Sequence, residues 1–145
     1  MATTRKKTES FTAEEKAAMK ERAEEIKREK RGAGEAEDAK AVLAKIASMP
    51  EADRKIAERV HEIVLAAAPE LKAKLWYGMS AYYRDGKNVC FFQDAAKFKA
   101  RYSTLGFNEA ARLDDGNMWP TSYALLKLTE ADEKRIAELV KQAMS

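Results

Sequence analysis

Glu58, His61 and Glu62 are the residues of this sequence best spaced to hold a metal ion. They fall within Glu58-Arg59-Val60-His61-Glu62. On a helix, positions i, i+3 and i+4 share one face, so the three side chains can converge. Glu-x-x-His is also the spacing that di-iron helix bundles use. A full di-iron site needs a second such motif and further carboxylates. His61 is the only histidine, so only a symmetric dimer could supply them. The plainer reading is a solvated helix face, and the missing second motif favours it.

Nucleophilic chemistry has less to draw on. Cys90 is the only cysteine and lies in an apolar stretch, where a thiol packs as a small inert hydrophobe. No base can be placed beside it from sequence, and no glycine-rich phosphate loop is present. The sequence therefore reads as a non-enzyme.

A third possibility is an aromatic ligand surface. Trp76, Tyr77, Met79, Tyr82 and Trp119 are its candidate residues, with Lys97, Lys99 and Arg101 nearby. Aromatics alternating along strands bury one set and present another. Such a face could take a small molecule or a protein partner, although single exposed aromatics are also ordinary. Nucleic acid is disfavoured, because no RNA-stacking motif is present and the charge is balanced.

The elements that must position these residues follow from composition and periodicity. The chain has 145 residues, 46% hydrophobic and 35% charged, with a net charge of +3. That suits one well-solvated domain with a true core. No apolar run approaches membrane-spanning length, and Met1–Ser10 lacks the apolar segment of a signal peptide. One cysteine allows no internal disulfide and fits a reducing, cytoplasmic setting. Met1–Ser10 reads as a disordered tail whose Arg5-Lys6-Lys7 cluster is solvated.

Thr12 and Glu15 form a capping box for a first helix, Ala13 to about Lys30. Its apolar face is thin: Ala13, Ala17, Met19, Ala23 and Ile26. Such a helix packs loosely or relies on charge pairs. Gly32-Ala33-Gly34 is a linker. A second helix runs from about Glu37 to Ser48. A third, about Pro50 to Ala68, carries the Ile56, Val60, Ile63, Val64 stripe. Leu65 falls on its opposite side, where the first helix could cover it.

Strands then follow at about Leu75–Tyr77, Ala81–Arg84 and Asn88–Gln93. Gly78 allows a bend or bulge, and Asp85-Gly86 is a hairpin turn. Alternation over Lys97–Thr104 predicts a fourth strand ended by Gly106. A short helical turn at Asn108–Leu113 precedes a fifth strand at about Ser122–Leu128. Thr129 with Asp132 caps a closing helix. The fold class is α+β: an antiparallel sheet of about five strands with helices packed on one face, N-terminal helices and a C-terminal helix.

Ala68-Pro69-Glu70, Leu75-Trp76-Tyr77-Gly78-Met79, Asp85-Gly86-Lys87 and Val89-Cys90-Phe91-Phe92 resemble the YdhG-like domain family. Members usually read Tyr-Gly-Met-Pro, and this chain has Ser80 at the proline position. The resemblance covers 35–145 as the domain, with 1–34 as an N-terminal extension. It implies a small α+β fold and a frataxin-like intracellular iron chaperone. On that footing the cargo would be weakly held Fe2+, at Glu58, His61 and Glu62, and the partner an iron–sulfur assembly protein.

Overall fold

The structure, a computed structural model, describes residues 10–145, so nearly all of the expected N-terminal tail lies outside the described residues. Among the described residues, four α-helices and a five-stranded sheet form the expected α+β architecture. Helix α1 spans Ala13–Lys30, α2 Glu35–Ala47 and α3 Glu51–Ala67. The strands are β1 Lys72–Trp76, β2 Met79–Arg84, β3 Lys87–Gln93, β4 Ser103–Phe107 and β5 Ser122–Leu125. Helix α4, Glu130–Ala143, closes the chain. The sheet is an antiparallel meander in sequence order.

Register divides the sheet into two faces, because side chains alternate along each strand. Leu75, Ser80, Phe92, Leu105 and Tyr123 form one cross-strand row. Most of that row joins a core with Val42 and Ile46 of α2, Val60 and Val64 of α3, and Ile136 and Val140 of α4. The opposite face carries the row Lys74, Ala81, Phe91, Gly106 and Ser122. Helix α3 is tied to α4 by a two-pronged bond: Arg59 Nε and Nη2 donate to the Glu133 carboxylate at 3.0 and 2.8 Å. Leu65 is half-buried against the core cluster.

Two expectations change. The segment 97–102 is not a strand. Ala95–Phe98 is a 3-10 turn, Lys99 turns left-handed at φ 54°, and β4 begins at Ser103. The turn wins because side chains satisfy its donors: Ala95 N–H donates to Ser103 Oγ and Ala96 N–H to an Asp53 carboxylate oxygen. Gly106 therefore lies inside β4, where a side chain would strike the Phe91 ring packed across it.

The second change is at Gly78. Tyr77 and Gly78 both have positive φ, 53° and 76°, and connect β1 directly to β2 as a two-residue hairpin turn. The bulge instead falls at Tyr82/Tyr83 in β2. A tyrosine in this left-handed region is strained by about 1–2 kcal/mol, so something must hold it there.

Candidate functional site

Glu25 of α1 holds the turn. Tyr77 N–H donates to Glu25 Oε1 at 2.9 Å, and Gly78 N–H donates to Oε2 at 2.7 Å. The carboxylate is 4% exposed. Two amides of one tight turn thus converge on a single anion, a concave donor arrangement suited to carboxylates. Gly78 is required here twice. Its φ is positive, and a Cβ would run into the neighbouring carboxylate of Glu21.

Cations surround the turn. Glu21 is bound by Lys45 of α2, and by Lys97 of the 3-10 turn at 2.6 Å. Lys74 of β1 reaches Glu29 at 3.0 Å, and Lys99 reaches Glu14 at 3.1 Å. Arg22 bonds Glu25 at 3.2 Å and sits 5.9 Å from the centre of the Tyr77 ring. Trp76 flanks the turn, edge-on to Tyr77 and Phe91 at 5.4 and 5.3 Å.

Helix α1 is therefore held by a face other than its apolar one. Ala13, Ala17, Met19, Ala23 and Ile26 are all exposed, Met19 at 40% and Ile26 at 38%. The docked stripe is Glu14, Ala18, Glu21, Arg22, Glu25 and Glu29, a repeat of three, four and seven residues. Ala18 is the one apolar residue of α1 that is buried. Hydrogen bonds to a charged group are worth about 1.5–3 kcal/mol each. Half-exposed ion pairs such as those of Glu21 and Glu29 add only about 0–1 kcal/mol apiece. The Glu25 contact is thus the main attachment.

The charges respond to this setting. Burial works against the Glu21 charge, but hydrogen bonds from Lys45 and Lys97 outweigh it and hold the carboxyl below its ordinary range. Glu29 behaves alike, with Lys74 outweighing burial. Glu14 is lowered by its backbone hydrogen bond and by Lys99.

The metal candidates are placed apart from this site. His61 Nδ1 and the Tyr82 hydroxyl are hydrogen-bonded at 2.9 Å. Glu62 pairs with Arg59 at 3.2 Å, and Glu58 points to solvent. Among the described residues, no three His, Cys, Asp or Glu side chains come together in a way that could hold a metal ion. The Glu-x-x-His spacing is present, yet one ring nitrogen is committed to the core tyrosine and one carboxylate to an arginine.

The aromatic surface is corrected more fully. Tyr82 and Met79 are buried, and Trp119 packs against the core. Trp76, Tyr77 and Met79 lie at the turn, and of these only Trp76 and Tyr77 reach the surface. Of the expected basic neighbours, Lys97 is there, but through the 3-10 turn rather than a strand, and Lys99 pairs with Glu14 farther along α1. Cys90 is fully buried, and burial pushes its thiol up to about 12, so the thiolate is negligible at neutral pH.

His61 gives a pH signature separate from α1. Burial lowers its pKa below the ordinary 6.5, against a weaker opposing effect of Glu62. The unfolded chain then binds the proton more readily, so the stability of the neutral ring is complete above about pH 6.5 and declines as pH falls below it. Urea midpoints should drop below pH 6.5, and His61→Gln should flatten that drop. The Glu14, Glu21 and Glu29 contacts of α1 should loosen at lower pH, because their depressed carboxyls stabilise above about pH 4.5 and stop doing so as pH falls through their lowered pKa values. A single shared transition for both, or no change on His61→Gln, would contradict this separation.

Comparison with protein-family models, curated proteins and solved structures gives no match, so the YdhG-like resemblance gains no support from them. No helix among the described residues is long and apolar enough to cross a membrane.

The sequence reading missed Glu21, Glu25, Arg22, Lys45 and Lys74. One signal was available: Glu21, Glu25 and Glu29 recur at four-residue spacing on the helix with the thinnest apolar face.

Proposed function

We propose that this protein is a non-enzymatic binding domain for carboxylate-bearing ligands, with its site at the Tyr77-Gly78 turn. The observation that carries this reading is the pair of turn amides closed on one buried carboxylate. Lys45, Lys74 and Lys97 supply the surrounding positive charge. Trp76 and Tyr77, set edge to face, supply an aromatic flank, which keeps part of the aromatic reading of the sequence. The site selects anions because it offers N–H donors and ammonium groups to a carboxylate. Burial of the thiol and engagement of His61 by Tyr82 support a binding role over a nucleophilic one.

Citrate is a suitable probe, since one of its carboxylates can accept from both turn amides. The full chain carrying Glu21→Gln, Glu25→Gln and Glu29→Gln should bind citrate at low salt. The Tyr77 and Gly78 amide resonances should shift most. Absence of any shift at these two amides in tens of millimolar citrate would sink the proposal.

A further inference from the structure

We infer that the partner is an acidic helix with carboxylates at i, i+4 and i+8, and that α1 is the resident competitor it displaces. This rests on the carboxylate-binding reading above and narrows it to one ligand class.

The receiving groups form a row rather than a point. Lys97, the turn amides and Lys74 are matched in order by Glu21, Glu25 and Glu29. Lys99 extends the row to Glu14. Carboxylates four apart lie about 6 Å apart along a helix, so a helix spans the row and a small ligand does not. The lysines come from β1, α2 and the 3-10 turn, which the sheet and core place without help from α1, while the hairpin turn between β1 and β2 takes its shape around whichever carboxylate docks on its two amides. No α1 residue belongs to the main core cluster.

Exchange is also inexpensive in apolar surface, with Ala18 the one buried apolar side chain of α1. What leaves is a charged stripe that water and salt can accommodate. The tether permits it. Gly32 has φ +86° and nothing near its missing Cβ, and Gly34 is equally open. The Arg31–Glu37 ion pair across this linker is exposed. A tethered competitor lowers the apparent affinity for an incoming helix by the fraction of time the site is open. A helix in trans therefore has to compete against a local concentration in the millimolar range.

The test uses a fluorescein-labelled peptide of residues 11–31 as the incoming helix and the full chain as receptor. The chain with Glu21→Gln and Glu25→Gln should bind the peptide at least about tenfold more tightly than the unmodified chain does. The same peptide carrying both glutamines should bind at least tenfold more weakly, and 0.5 M salt should weaken the complex further. In the unmodified, isotope-labelled chain, excess peptide should speed amide exchange across Ala13–Lys30. That second measurement stands even where the double variant folds poorly. If citrate shifts the Tyr77 and Gly78 amides but the peptide neither binds nor speeds exchange, the helix partner is overturned and the carboxylate site stands. If neither probe acts, both fail.

Discussion

Glu25→Lys should free α1 and leave the rest of the domain folded. The change removes the acceptor shared by the Tyr77 and Gly78 amides and puts an ammonium group beside Lys74 and Lys97. Two charge-assisted bonds at a buried carboxylate are worth about 3–6 kcal/mol together. Amide exchange along Ala13–Lys30 should therefore quicken by at least about a hundredfold, toward that of a marginal isolated helix. The unfolding free energy of the sheet in urea should move by less than about 1 kcal/mol, because α1 contributes nothing to the main core cluster. Mass-resolved hydrogen exchange reads both halves at once. Protection of α1 that survives the substitution would mean that its apolar contacts hold it, against the exposure of Met19 and Ile26.

Phe92→Ala should do the reverse. Phe92 is 1% exposed on the central strand β3, between Ser80 and Leu105 in the cross-strand row. Truncating a buried phenylalanine costs about 3–5 kcal/mol in lost burial and cavity formation. Domains of this size have roughly 5–15 kcal/mol in all, so the melting temperature should fall by roughly 10–20 °C. Helix α1 should lose protection in the same transition, since its receiving groups are brought together by the sheet. Calorimetry and exchange on one sample check this. An α1 that stays protected after the sheet melts would contradict the dependence.

Together the two variants describe an asymmetric arrangement: the domain positions α1, and α1 does not build the domain. That asymmetry explains which parts of the chain were legible in the sequence. Elements with a strong apolar period were readable: the α3 stripe of Ile56, Val60, Ile63 and Val64 is buried as its spacing required. The capping boxes at Thr12 and Thr129 form as read. The Asp85-Gly86 turn is where the hairpin signal put it.

The misreadings share a cause. Alternation over Lys97–Thr104 imitates a strand, but the fate of that backbone is decided by Asp53 and Ser103, side chains of which one is 43 residues away in sequence from the amide it accepts. Tyr77 in a left-handed turn goes against residue preference, and only the docked Glu25 explains it. The face of α1 was misassigned because apolar periodicity assumes an apolar receiver. Here the receiver is a cluster of lysines and two amides, so the acidic stripe turned inward. The metal candidates illustrate the converse. Helical spacing put Glu58, His61 and Glu62 on one face, yet the hydrogen bond to Tyr82 and the ion pair to Arg59 divide them between core and surface.

The central claim is that the Tyr77-Gly78 turn is a carboxylate site filled by Glu25. The most direct measurement is the pair of backbone amide proton shifts of Tyr77 and Gly78 in the intact chain, before and after Glu25→Lys. Short bonds to a charged oxygen move amide protons downfield. Both resonances should lie well downfield in the unmodified chain, move upfield by far more than any other sheet amide on substitution, and return partway when citrate is added. Shifts at these two amides that are ordinary from the start and unmoved by the substitution would contradict the account.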